Sequence, residues 1–151
     1  MILKKLLILS LFIGSFSLAD NGLITIKSHH NVKDTVKQLK QALNAKGMTI
    51  FDTINHKKGA KGVGKKLRPT TVVIFGNPKV GTPLMQCAQT VAIDLPQKAL
   101  IWEDDKGQVW YSYNDPEYLV KRHHIKGCEQ PLNKITHALA NFAKAATGQP
   151  K

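Results

Sequence analysis

The stretch Phe75-Gly76-Asn77-Pro78-Lys79-Val80-Gly81-Thr82-Pro83-Leu84-Met85 leaves the backbone few paths. The apolar run from Thr71 to Phe75 that leads into it has no polar alternation, which predicts a central strand covered on both faces. Gly76-Asn77-Pro78 breaks that strand, because proline lacks the N–H a ladder needs. Thr82 is then placed to cap a short helix with Pro83 at its first position, where a missing N–H costs nothing. A strand, a tight turn and a capped helix follow within twelve or so residues, so the chain has to be a mixed structure.

The rest of the chain agrees. Leu23 to Lys27 alternates as a short strand. Val32, Val36, Leu39 and Leu43 then recur at four, three and four, one face of a helix, with Asn31 as its N-cap, Asp34 in its first turn and Gly47 placed to end it. Met48 to Ile54 reads as a second strand. The segment His56 to Lys66 holds five lysines and three glycines in eleven residues, which predicts a mobile or weakly helical piece. Lys98 to Glu103 and Gln108 to Tyr113 flank a hairpin in which Gly107 can supply positive φ. Asp115-Pro116 starts another helical stretch, and Pro131 opens a last helix with Leu132, Ile135, Leu139, Phe142 and Ala146 at spacings of three and four. The sum is α+β: a mainly antiparallel sheet of about five strands with helices packed on one face.

The opening stretch, together with Ile93-Asp94-Leu95-Pro96, Trp102-Glu103-Asp104-Asp105-Lys106-Gly107, Tyr113-Asn114-Asp115-Pro116-Glu117-Tyr118-Leu119 and Arg122-His123-His124, resembles the domain of unknown function 302 family. The resemblance runs from about Leu23 to about His124 and is densest from Arg68 onward. It implies an α/β sandwich of the same class and a tendency to form homodimers. It implies no established chemistry, and it does not call for cysteine at position 87 or 128.

At the N-terminus, Lys4 and Lys5 precede an apolar run from Leu6 to Leu18, and Ser17-Leu18-Ala19 offers a small-residue cleavage site. We expect residues 1–19 to be a signal peptide, 20–22 an extension, 23–147 a single domain and 148–151 a tail. The mature protein is then exported to the periplasm or beyond and does not span the membrane. The formal net charge of +12 falls only by the two leader lysines, so the chain favours anionic small molecules or an anionic envelope surface. Export and the lack of interleaved aromatics argue against nucleic acid. Export also permits a disulfide between Cys87 and Cys128, the only cysteines, if their Cα atoms lie close enough.

Two readings of function follow. The first is a non-catalytic module that binds a small ligand or anion between the Asn77, Lys79 and Thr82 turn, His56, and Arg122 with His123. Backbone N–H groups at a helix N-terminus beside Lys79 meet the physical requirement for holding an anion. No cofactor is required by the sequence. The alternative is a copper or zinc protein using His56, His123 and Cys128, a donor set suited to those ions but lacking the spacing of a strong zinc motif. No nucleophile elbow is present, and Glu103, Asp104 and Asp105 are better explained by turn chemistry than by two-carboxylate catalysis.

Overall fold

Five strands form one antiparallel sheet in the order β1-β5-β4-β3-β2, as seen in a computed structural model that describes residues 21–149. The expected signal peptide lies outside the described residues. In chain order the elements are β1 (Leu23–Lys27), α1 (Val32–Ala45), β2 (Thr49–Asn55), α2 (His56–Gly62), β3 (Thr70–Gly76), α3 (Pro78–Cys87), a 3-10 segment (Gln89–Ile93), β4 (Gln97–Glu103), β5 (Val109–Asn114), α4 (Pro116–His123) and α5 (Glu129–Thr147). The fold class is α+β.

Pairing register explains which face is core. Along one rung lie Val73, Ala99, Tyr113 and Ile24, and along another Thr71, Ile101, Tyr111 and Ile26. These side chains are buried or half-buried beneath helices α1 and α5, which lie side by side. Leu39 and Leu43 of α1 are fully buried, each burial contributing roughly 2 kcal/mol, and the small Ala143 and Ala146 of α5 are equally enclosed. Alternate residues point the other way. Val72, Leu100 and Ser112 share an outer rung, and Trp102 and Trp110 stack across the hairpin at 6.5 Å.

Two expectations need correction, and one open alternative is resolved. β3 is not covered on both faces: its burial alternates, and Val72 and Ile74 remain half-buried. The unbroken apolar run reflects an outer face that is itself apolar. Of the two alternatives for the lysine- and glycine-rich segment, residues 56–62 take the helical one, capped by the Asn55 side chain, which accepts the Lys58 N–H at 2.9 Å. Helix α3 starts at Pro78 rather than at Thr82, with Asn77 as its cap, and runs through Pro83.

Tyr111 carries a liability inside this core. Its side chain is fully buried, and the hydroxyl has no hydrogen-bond partner among the described residues. Burial pushes its ionisation far up, with Tyr113 adding to the effect. Tyr111→Phe is therefore expected to stabilise the protein, by about 1 to 2 kcal/mol, since the orphaned hydroxyl is desolvated without return. The sign with pH follows. The folded ring stays neutral while the unfolded one ionises near pH 10, so wild-type stability falls as pH rises past about 10. Urea midpoints at about pH 7 and pH 11 check both points: the variant should gain at the first and lose less at the second. A variant less stable at neutral pH would show that the hydroxyl has a partner.

Candidate functional site

A cavity of about 290 Å³ opens where β3 and β4 meet α3 and α5. Its floor is Phe75 and Gly76 at the end of β3 and Gln97 at the start of β4, with Phe75 and Gln97 paired across the ladder. One wall is α5, which presents Ile135, Ala138, Leu139 and Phe142, residues spaced by three and four so that they share a helix face. The opposing wall is α3, through Val80, Gly81, Thr82 and Met85, and Leu95 with Pro96 closes the side. Phe51 and Val80 line the cavity while remaining 53% and 37% exposed, which marks the mouth.

The lining is mostly apolar, and no charged side chain among the described residues contributes to it. Its polar side chains are Asn77, Thr82 and Gln97. Asn77 is partly committed, because its Oδ1 accepts the Lys79 N–H at 2.9 Å. Gln97 is only 7% exposed, and its side-chain amide makes no hydrogen bond among the described residues.

At the expected anion turn the first backbone N–H groups of α3 are already taken. Pro78 has no N–H, Lys79 gives its own to the Asn77 side chain, and Val80 and Gly81 both donate to the Asn77 carbonyl at 2.9 Å. The start of α3 is thus internally satisfied. Lys79 is exposed and absent from the cavity wall, whereas Asn77 and Thr82 belong to it.

His123 and Arg122 sit behind the cavity in a different role. His123 Nε2 lies 2.5 Å from Asp94 Oδ2, its Nδ1 lies 3.1 Å from Thr90 Oγ1, and Arg122 donates to Asp94 Oδ1 at 3.2 Å. The imidazole is 6% exposed, with both nitrogens occupied. Thr90 and Asp94 stand four residues apart beside the same 3-10 segment, so the cluster clamps that segment, and through it the Leu95-Pro96 wall, to α4. Asp94 is the partner that local reading could not supply, and both Arg122 and His123 meet it.

His56 is far from both groups. Asn55 pairs with Thr71, while Gly76, next to Asn77, pairs with Thr49 at the opposite end of the same ladder. Five residues of strand separate the two ends, about 17 Å. His56 instead begins the exposed α2, whose Lys57, Lys58 and Lys61, with Lys65 and Lys66, border a separate groove. His56 therefore shares no site with His123 or Asn77 in one protomer.

Cys128 is not available as a metal ligand. It is bridged to Cys87, with Cα atoms 6.4 Å apart, so the thiolate that copper or zinc would need is consumed. Among the described residues no group of three His, Cys, Asp or Glu side chains is placed to hold a metal ion. α4 ends at His123, and His124 turns the chain at φ 53°, so His124 and Cys128 lie on no common helix. Asp104 is explained by its turn: it accepts from the N–H groups of Lys106 and Gln108 and from the Trp110 indole at 2.8 Å. The indole first, then the turn amides, hold its carboxyl below the usual range.

Known proteins share this architecture. A crystal structure of an uncharacterized conserved protein DUF302 from Bacillus stearothermophilus superposes with a TM-score of 0.75 at 16% identity, covering 83% of this chain and 98% of that one. That likeness shows the fold. Two curated relatives, both called "Fluoride-specific ion channel FluC 1", come from Brucella suis biovar 1 (strain 1330) and Brucella abortus biovar 1 (strain 9-941). Each is 44% identical over 109 residues, 72% of this chain, but the match spans only 43% and 40% of their own lengths. No helix among the described residues is long and apolar enough to cross a membrane. The family model "Domain of unknown function DUF302" matches residues 24–142, which takes in every strand and helix but the ends of the first and last, and the chain belongs to that family.

Proposed function

We propose that this protein is an exported, non-catalytic module that binds a small, largely apolar molecule in the cavity between α3 and α5. The observation that carries the reading is the cavity itself: about 290 Å³, open at Phe51 and Val80, mostly apolar, and without a charged side chain among the described residues. Concave apolar pockets with a few polar groups are the usual form of a small-molecule site, and this one is at the small end of their range. Of the residues the sequence pointed to, Asn77 and Thr82 belong to it. An anion is a poor occupant, because nothing there repays its desolvation. The Cys87–Cys128 bridge supports the exported part of the reading, since such bonds persist in oxidising compartments.

The channel name of the Brucella relatives is not carried over, because the matched portion here contains no membrane-crossing helix. Pairing of two copies, which the family resemblance implies, stays a proposal, supported by the half-buried Val72, Leu100, Trp102 and Trp110 on the outer face of the sheet.

Native mass spectrometry of the protein purified from its own host tests both parts. A retained small-molecule adduct is expected on wild type and should vanish in Ala138→Trp, which fills the cavity from the α5 wall. An adduct held equally by both proteins would place the ligand elsewhere. The same spectra give the assembly, and a species at the mass of one chain alone at micromolar concentration would remove the dimer.

A further inference from the structure

Resting on that reading, we infer that Gln97 is the specificity-determining residue of the cavity, and that its occupant is an uncharged molecule with an apolar body and one amide-like group pairing with the Gln97 carboxamide. A side chain of this kind needs a reason to be there. Gln97 opens β4 on the core face, opposite Phe75, among apolar neighbours, and its amide keeps access only to the cavity that it lines. The residue is more than nine-tenths buried and lines the cavity, and its side-chain amide has no hydrogen-bond partner among the described residues. Asn77 is half-buried and already holds the Lys79 N–H with its oxygen, so it is a secondary polar contact beside Gln97.

The chemistry of the occupant follows from the amide. A carboxamide presents two N–H donors and one acceptor oxygen side by side, so it is matched by a group that also carries a donor next to an acceptor. A primary amide, a lactam or a protonated carboxylic acid has that pattern. An ionised carboxylate has acceptors only and would enter a lining with no cation to meet it. An alkyl or aryl group without a polar end would fill the cavity and leave the Gln97 amide unpaired. Sites built around a buried polar group discriminate most strongly against ligands that fail to satisfy it.

Three probes of one shape separate these cases: 3-phenylpropanamide, 3-phenylpropanoate and propylbenzene, each titrated against wild type, Gln97→Leu and Gln97→Met by calorimetry. Wild type is expected to bind the amide at least about tenfold more tightly than either other probe, the scale of one well-made buried hydrogen-bonded pair. Both variants should lose that preference while keeping or improving their affinity for propylbenzene, and this retained binding also shows that they are folded. If wild type binds the amide and propylbenzene equally, and the variants do too, the role of Gln97 is overturned while the cavity reading stands. Tightest binding of the carboxylate would likewise overturn it. Failure of all three probes on wild type would sink the cavity reading together with the inference built on it.

Discussion

Replacing Cys87 and Cys128 together by serine is expected to lower the stability of this protein by about 4 kcal/mol. The bridge closes a loop across a sequence separation of 41, and in the chain-entropy account the unfolded chain regains roughly that much freedom when the link is cut. Set against the roughly 5 to 15 kcal/mol that holds a domain of this size, the loss is a large share of the total. The position of the bridge adds a second consequence. Cys87 ends α3 and Cys128 precedes α5, the two helices whose facing sides form the walls of the cavity. α3 anchors to the core with a single fully buried side chain, Leu84, and Pro83 inside it removes one backbone hydrogen bond, so the covalent link is a large part of what holds it in place. Urea unfolding of the serine variant should show a midpoint lower by about 2 M at a slope near 2 kcal/mol/M, and wild type with reductant should match it. Ligand affinity should fall in both. A shift of less than about 0.5 M would mean that the reduced chain keeps α3 docked, and the covalent link would then lose its place in the account of the site.

Much of the scaffold could be read from short-range chemistry, and the exceptions show where such reading stops. Asn31 with Asp34, Asp115 with Pro116, and Gly107 in its hairpin each act through neighbours within a few residues, and each lies where local rules put it. The Asn77-Pro78 and Thr82-Pro83 pairs are different. Both have the form of a cap followed by proline, and local chemistry cannot rank them. The structure uses the first, because α3 begins directly where β3 ends, and Pro83 then falls inside the helix. The site was less legible than the fold. Asp94 and His123 are 29 residues apart in sequence and meet only once α4 packs on the 3-10 segment. Gln97 reads as an ordinary strand-opening residue after Pro96. Its significance depends on α5, more than thirty residues later, lying over the strand end and leaving a gap there. His56 and Asn77 drew attention as neighbours of one family-like region, yet a seven-residue strand places them at opposite ends of the sheet.

The largest single-residue effect is expected at Phe142. Its ring is 5% exposed, meets Phe75 edge to face at 5.9 Å and 82°, and forms part of the cavity wall. Phe142→Ala should cost about 3 to 5 kcal/mol, through the lost burial, the lost ring pair and the space left behind. The surroundings are poorly able to close that space, because the strand on one side is fixed by its ladder to β4 and the helix on the other by its contacts with α1. The gap should therefore merge with the existing cavity rather than collapse. Two measurements then move in opposite directions: the melting temperature falls, while an apolar probe too bulky for the wild-type cavity, such as naphthalene, raises the melting temperature of the variant and leaves wild type unchanged. If the variant loses stability but gains no response to the probe, the ring is packed in ordinary core and the wall of the binding site has been misplaced. If it loses less than about 1 kcal/mol, the cavity is roomy enough to absorb the change, and the fit between its shape and a specific occupant would have to be abandoned.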